Sequence, residues 1–284
     1  MLGKYSNMVA NVSTPEGLRA LVSDRAPEKE FNEILTELET WYQSDNGCYL
    51  LQLVQGYLTT QLDTAFGYHL AQIGVTRCHP LYESSPVRHR IYISALSGDD
   101  VSLQAESEEL PLATDSVDVV IAHHSLEFSS NPHQALRELH RILTPQGHLF
   151  VIGFNPWSLP GVSRTLRARF GSRLWGARRG LSTRRLTDWL NVLGLEEEDT
   201  AQYYVLPPCG GRRLRGWIQA VNAWCAGHKL PVGGVYLMHA IKQVPGNVRP
   251  AQRSRRGRMI GLAVPQSVPT QRPAPTPRRG DNAA

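Results

Sequence analysis

Two adjacent histidines, His123 and His124, follow the run Val117-Asp118-Val119-Val120-Ile121-Ala122. Such a near-continuous β-branched run suits a parallel strand covered on both faces. Ligands of open α/β sheets bind beyond the carboxyl ends of these strands. An imidazole placed there can accept a proton from a reacting group, so both histidines are candidate bases. The blander alternatives are a satisfied inward-facing polar group and a passive pocket wall. Glu106, followed by Ser107, is a second candidate for ligand contact, set against a plain solvated loop acid. Cys48, Cys78, Cys209 and Cys225 stand far apart with no C-x-x-C pairing, which argues against a disulfide framework or a metal site. Between residues 164 and 185 eight arginines occur without one acid, while Val162, Leu166, Phe170 and Leu174 recur every four residues beside Trp175. That is the pattern of a basic amphipathic helix over 162–185. Such a helix can contact anionic membrane or receive phosphate groups, or pack as a lid with a solvated arginine face.

The elements that must position these residues are legible in part. Residues 28–43 carry Phe31, Ile34, Leu35, Leu38, Trp41 and Tyr42 at helical spacing. Ser44-Asp45-Asn46-Gly47 is expected to stop that helix, and Cys48–Val54 reads as a short buried strand. After the strand at Val117–Ala122, Asn131 can cap a helix with Pro132 in its first turn. Ala135, Leu136, Leu139, Ile142 and Leu143 share one face of it. A turn at Thr144–Gly147 leads to a strand at His148–Phe154. Strand, helix and strand make a βαβ unit with a right-handed crossover. Further on, a helix is expected over 181–193, a strand near 202–206, a helix over 216–226 and a last strand over 235–244. Asn155-Pro156-Trp157 reads as a turn with an aromatic lid.

The formal net charge of +5 is unevenly spread. From Arg249 onward there are eight arginines and one acid, whereas the first 248 residues hold 22 basic and 24 acidic side chains. The segment 249–284, rich in Pro, Arg and Gly, is expected to be a disordered basic tail, and residues 1–27 a poorly ordered lead-in. The tail arginines have no aromatic residues between them, which weakens specific RNA recognition and argues against nucleic acid as the main substrate. No run approaches the roughly 18 apolar residues of a membrane span, and no signal sequence is apparent at the N-terminus, which points to the cytoplasm.

Residues 106–153 resemble the latter half of a class I S-adenosylmethionine-dependent methyltransferase of the type-11 group. The resemblance rests on Glu106-Ser107-Glu108-Glu109-Leu110-Pro111, Val117-Asp118-Val119-Val120, Leu126-Glu127-Phe128 and Arg141-Ile142-Leu143-Thr144-Pro145-Gln146-Gly147. It extends more weakly to 182–244, where Lys242 closes the last strand, and covers about residues 48–244. It implies a Rossmann-like α/β fold: a mostly parallel seven-stranded sheet with helices on both faces, formed by residues 28–248. It also implies S-adenosyl-L-methionine as cofactor. On the same resemblance Glu106 takes the adenine amino group, Ser107 supplies a backbone contact and His123 faces the cofactor. The glycine loop that ends strand one in this family aligns with Gly56, with Gln52 at its acid. Only one of its three glycines is kept. Glu83 is favoured over Asp99 and Asp100 as the ribose acid, because the latter leave too little chain for a helix.

The reaction so implied is an in-line displacement at a sulfonium methyl, in which positioning does much of the work. A base is needed only where the acceptor must lose a proton. The expected function is methyl transfer to a small-molecule or lipid acceptor. The altered glycine loop leaves open a second reading, a binding or regulatory protein that keeps the fold without catalysis.

Overall fold

The computed structural model describes residues 31–74, 80–171, 174–175, 179–207, 212–228, 230 and 232–243. The expected lead-in and the basic tail lie outside the described residues, as do Arg173 and Arg178 of the arginine-rich segment.

A helix through residues 31–42 (α1) is followed by α2 (Asp45–Leu62). Seven strands then form one sheet: β1 (His69–Gly74), β2 (His89–Ser94), β3 (Leu103–Gln104), β4 (Val117–His123), β5 (Leu143–Phe154), β6 (Leu195–Tyr203) and β7 (Val235–Lys242). Their spatial order is β3-β2-β1-β4-β5-β7-β6. The pairs among β3, β2, β1, β4 and β5 are parallel, and β7 runs antiparallel to both β5 and β6. Further helices are α3 (Ser125–Phe128), α4 (Pro132–Ile142), α5 (Leu159–Arg169), α6 (Thr183–Leu193) and α7 (Arg212–Gly227). The fold inferred from the resemblance is the fold found.

Strand alternation divides the apolar side chains between two cores, as a pleat with period two requires. Val119 and Ile121 of β4 and Phe150 and Ile152 of β5 face one core, which α1 and α2 fill with Leu35, Leu38, Leu50, Val54, Leu58 and Leu62. Val120 and Ala122, with Leu149 and Val151, face the other, which receives Leu136 and Leu139 of α4 and Leu186 and Leu190 of α6. Each Val, Leu, Ile or Phe among them, fully buried, contributes roughly 1.5–3 kcal/mol.

The front of the domain departs from the sequence expectation. Cys48–Val54 is no strand but part of α2. Leu50, Leu51, Val54, Tyr57, Leu58 and Leu62 recur at helical spacing and are buried, and Ser44 caps the helix by accepting the Gly47 N–H at 3.2 Å. The Ser44–Gly47 segment therefore ends one helix and starts the next. Gly47 permits this corner, since a Cβ there would sit 2.4 Å from the Tyr42 Cα. The first strand is His69–Gly74, whose central Gln72 is fully buried and accepts the Leu81 N–H at 2.7 Å. A polar side chain in mid-strand hid it.

Elsewhere the differences are of place and extent. The strand expected near 202–206 is displaced: β6 spans Leu195–Tyr203 and shares only residues 202 and 203 with it, Tyr204 taking a left-handed φ of 64°, and the helix expected over 216–226 starts at Arg212. Asn131 caps α4 as expected, accepting the Gln134 N–H at 3.3 Å. Among the described residues no helix is long and apolar enough to cross a membrane.

Candidate active site

The residue types that carry the family resemblance act largely at the amino ends of the strands. Asp118 Oδ2 accepts the backbone N–H groups of Tyr68 (2.7 Å) and His69 (3.1 Å), and Oδ1 accepts the Thr144 hydroxyl at 3.2 Å. Arg141 donates to the Leu110 and Leu112 carbonyls at 2.9 and 2.8 Å and pairs with Glu138 at 2.7 Å. That pairing holds the Glu138 carboxyl below the ordinary range. Lys242 donates to Asp115 at 2.6 Å and to the carbonyls of His140 and Leu143. These groups clamp strand entrances and loops, and leave the opposite edge of the sheet for ligands.

At that carboxyl edge Gly74 ends β1, paired with Ser94 of β2 on one side and His123 of β4 on the other. Glu106 and Ser107 follow β3, Glu106 exposed and Ser107 half-buried. Ser107 Oγ donates to the Ser125 carbonyl at 3.5 Å, which ties the β3 exit to the β4 exit. The neighbouring Glu108 accepts Ser129, Ser130 and the Asn131 N–H, so it braces the loop before α4. Ser125 Oγ is buried and has no hydrogen-bond partner among the described residues. A buried hydroxyl left without a partner costs roughly 1–3 kcal/mol, so a ligand able to bond it would gain from doing so.

Three predicted cofactor residues are not at this edge. Gln52 and Gly56 lie on the exposed face of α2, where a Cβ at Gly56 would meet nothing within 4 Å. They followed from reading α2 as a strand. Glu83 sits on the β1–β2 connection, ahead of β2 rather than beyond its end. No helix separates β2 from β3, so the length argument against Asp99 and Asp100 does not hold: both follow β2 in that short connection. The segment after Gly74 reads Val75-Thr76-Arg77-Cys78-His79 and lies outside the described residues.

Beyond β4 the structure assembles a buried polar group. His123 and His124 are both fully buried. His124 Nδ1 lies 2.8 Å from Glu127 Oε2, and Glu127 Oε1 accepts the Phe154 N–H at 2.8 Å. Tyr42, from the end of α1, bonds with its hydroxyl to Nε2 of His124 and, at 3.1 Å, to Nε2 of His123. Burial first, and the Glu127 charge second, raise the Tyr42 phenol well above its ordinary range, so it stays protonated. His124 holds this position in the left-handed region, at φ 56°, a conformation few side chains adopt without compensation. The group is sealed by rings. Phe154 stacks on His124 at 4.0 Å between centroids, with Trp41 and Trp175 edge-on to Phe154 at 5.8 and 5.6 Å. Sequence reading had singled out the two histidines but not Tyr42, whose place at a helix end gave it the look of core. A buried tyrosine needs a hydroxyl partner, and the i, i+3 spacing of His124 and Glu127 was the available clue.

The 162–185 segment differs from one basic helix. Helix α5 ends at Arg169 and α6 begins at Thr183. Its polarity is inverted: Arg164 is buried, donating to the Gly234 carbonyl at 3.2 Å, with its guanidinium 4.2 Å from the Phe154 ring and 5.0 Å from that of Trp175. A guanidinium over aromatic faces is favourable electrostatically, more so when desolvated. Leu174 and Trp175 are also buried, but Val162, Leu166 and Phe170 face outward, Phe170 being 89% exposed. Asn155 is structural, donating to the Gly233 carbonyl at 3.1 Å and accepting the Trp157 N–H at 3.0 Å. Trp157 itself is 83% exposed and covers nothing as a lid.

The sequence pattern of a methyltransferase domain matches residues 55–151. The uncharacterized Escherichia coli protein YafS is 32% identical over 202 residues, covering 70% of this chain and 79% of its own. Among solved structures, an S-adenosylmethionine-dependent methyltransferase of Thermotoga maritima aligns with a TM-score of 0.52 at 19% identity, over 76% of this chain and 99% of that one. A chain from the Haloferax volcanii complex of the Trm112 activator with a methyltransferase gives 0.54 at 13% identity, over 75% and 98%. These two likenesses concern the fold.

Proposed function

Because the chain belongs to the class I S-adenosylmethionine-dependent methyltransferases, we propose that its acceptor is a small molecule or lipid with an apolar body, bound at the carboxyl edge beside α5. The chain is a methyltransferase and its cofactor is S-adenosylmethionine. When bound, that cofactor supplies an electrophilic methyl on a sulfonium, a good leaving group. The residues present fit such a group: the Ser125 hydroxyl, which has no partner among the described residues, Ser107 and the exposed Glu106 offer donors and acceptors at the carboxyl edge. Glu106 would take the adenine amino group, and Asp99 or Asp100 would serve the ribose. His123 would stand at the methyl-donor side, oriented by Tyr42.

His124 and Glu127 act in this reading through Tyr42 rather than on the acceptor: His124 bonds the Tyr42 hydroxyl, and Glu127 bonds His124. They position the phenol, whose hydroxyl in turn orients His123. One observation carries the acceptor class: the outward apolar side chains Val162, Leu166 and Phe170 directly after β5, beside arginines and no acid. Apolar surface of this kind at a site's rim suits an apolar ligand better than a free polar metabolite.

The test begins with calorimetric titration of the full chain with S-adenosylmethionine and S-adenosylhomocysteine, where saturable binding is expected. Methyl-labelled cofactor is then supplied with a total lipid extract or an aqueous metabolite extract. Label entering the organic or small-molecule fraction supports the reading. A folded sample that binds neither cofactor form at millimolar concentration, or labels only nucleic acid or protein, refutes it.

A further inference from the structure

Exposed large apolar side chains are unevenly distributed over the domain. Twelve stand out among the described residues, and nine of them lie on α5, α7 and their adjoining turns. The most prominent are Trp157, Leu159, Leu166 and Phe170 around α5, and Trp217 and Trp224 on α7. The sheet register brings these two segments to one edge. Phe154 at the end of β5 and Tyr203 at the end of β6 both pair with Val235, the first residue of β7. Thus α5 leaves from, and α7 is inserted at, the same end of the sheet as the His123 site. Arg164 of α5 reaches the Gly234 carbonyl there, and a Cβ on Gly234 would lie 3.0 Å from Pro160.

The charge pattern matches. Residues 155–187 contain eight arginines, and residues 204–234 three arginines and a lysine, with no Asp or Glu in either stretch. Arg169, Arg184, Arg185 and Arg213 are exposed. Of the others Arg215 is engaged by Asp45 of α2 at 3.0 Å. Tryptophan and phenylalanine beside arginine, without acids, form the chemistry that enters the headgroup layer of an anionic bilayer: rings sit at the acyl boundary while guanidinium groups meet phosphates. A soluble protein partner would need a complementary acidic and apolar face, whereas a bilayer presents both properties everywhere.

We propose that α5 and α7 together seat this edge of the enzyme on anionic lipid bilayers, so that the acceptor is drawn from the membrane; this deepens the reading of an apolar acceptor and rests on it. Flotation with vesicles of phosphatidylglycerol and phosphatidylcholine, compared with phosphatidylcholine alone, tests it on the full chain. Binding to the anionic vesicles, weakened by salt, is expected. The doubles Trp157→Ser/Phe170→Ser and Trp217→Ser/Trp224→Ser should each lower vesicle affinity several-fold, and the two combined at least tenfold. In the unaltered chain, bromine-labelled lipids should quench tryptophan fluorescence, a readout that needs no variant to fold. Absence of flotation with anionic vesicles overturns the proposal. So does binding that survives both doubles but vanishes when the eight arginines beyond residue 248 are replaced by Gln, since the tail alone would then be the anchor. Preferred retention by single-stranded RNA over vesicles at equal salt also overturns it. Calorimetry with S-adenosylhomocysteine on the same samples separates loss of membrane contact from loss of the methyltransferase reading itself.

Discussion

Replacing Glu127 by Ala should destabilise the domain more than most single changes, and the structure says by how much. The carboxylate bonds two groups, the Phe154 N–H at 2.8 Å and His124 Nδ1 at 2.8 Å, and is 1% exposed. Removing it strands both inside a site closed by Tyr42, Phe154 and Trp41. Each unsatisfied buried polar group costs about 1–3 kcal/mol, and hydrogen bonds to a charged partner such as this carboxylate lie at the upper end of the range. We expect a loss of about 3–5 kcal/mol. Glu127→Gln keeps an oxygen for Phe154 but must donate to Nδ1, forcing the His124 proton onto Nε2 against the Tyr42 hydroxyl. That variant should lose about 1–2 kcal/mol. Urea unfolding followed by tryptophan fluorescence measures both. The near-ultraviolet dichroism of Trp41 and Trp175, which are edge-on to Phe154, should weaken in the same order. An Ala variant within 1 kcal/mol of the native chain, or a Gln variant no better than Ala, would refute the view that this carboxylate organises the edge.

Two further outcomes follow from local geometry. Gly47→Ala places a methyl group 2.4 Å from the Tyr42 Cα and 2.5 Å from the Trp41 carbonyl. Backbone must move, so a loss of about 1–3 kcal/mol is expected in the urea midpoint; an unchanged midpoint would show that the α1–α2 corner is not tight. His239, stacked on Phe150 at 4.4 Å and beside His148, is held down to about 4, first by burial and then by its neighbour's charge. Its folded pKa lies below the unfolded value, so its stabilising share is complete above pH 6.5 and is lost as pH falls towards 4. About 2 kcal/mol should be gone by pH 5. His239→Phe should flatten the dependence between pH 7 and 5, and equal slopes in the two proteins would contradict the assignment.

What could be read without coordinates was the middle of the chain. The β4–α4–β5 unit announces itself because a doubly covered strand is apolar throughout and an outer helix repeats every three to four residues; Val117–Ala122, Asn131-Pro132 and Leu136/Leu139 obey those local rules. Asp118, Arg141 and Lys242 were recognisable for a related reason: each must satisfy several backbone groups at fixed places, so residue type and spacing are constrained. The front of the domain misled because its apolar run was ambiguous. CYLLQLV suits a buried strand and a buried helix equally, and only packing against α1 and the sheet decided for α2. With β1 displaced to His69–Gly74, the cofactor residues assigned through Gln52 and Gly56 moved off the edge as well.

The sequence by itself determined the βαβ unit and the place of the histidines after β4, because these depend on near-neighbour periodicity, whereas the fold class followed from the family resemblance of residues 106–153. Only the tertiary structure decided what surrounds those histidines. Tyr42 stands 82 positions from His124 and Glu127 bonds a backbone 27 positions away, separations over which no local pattern constrains residue type. It likewise decided that Arg164 turns inward while Phe170 turns outward. A four-residue repeat marks which side chains share a helical face, but which face meets the core depends on what the rest of the chain has placed against it.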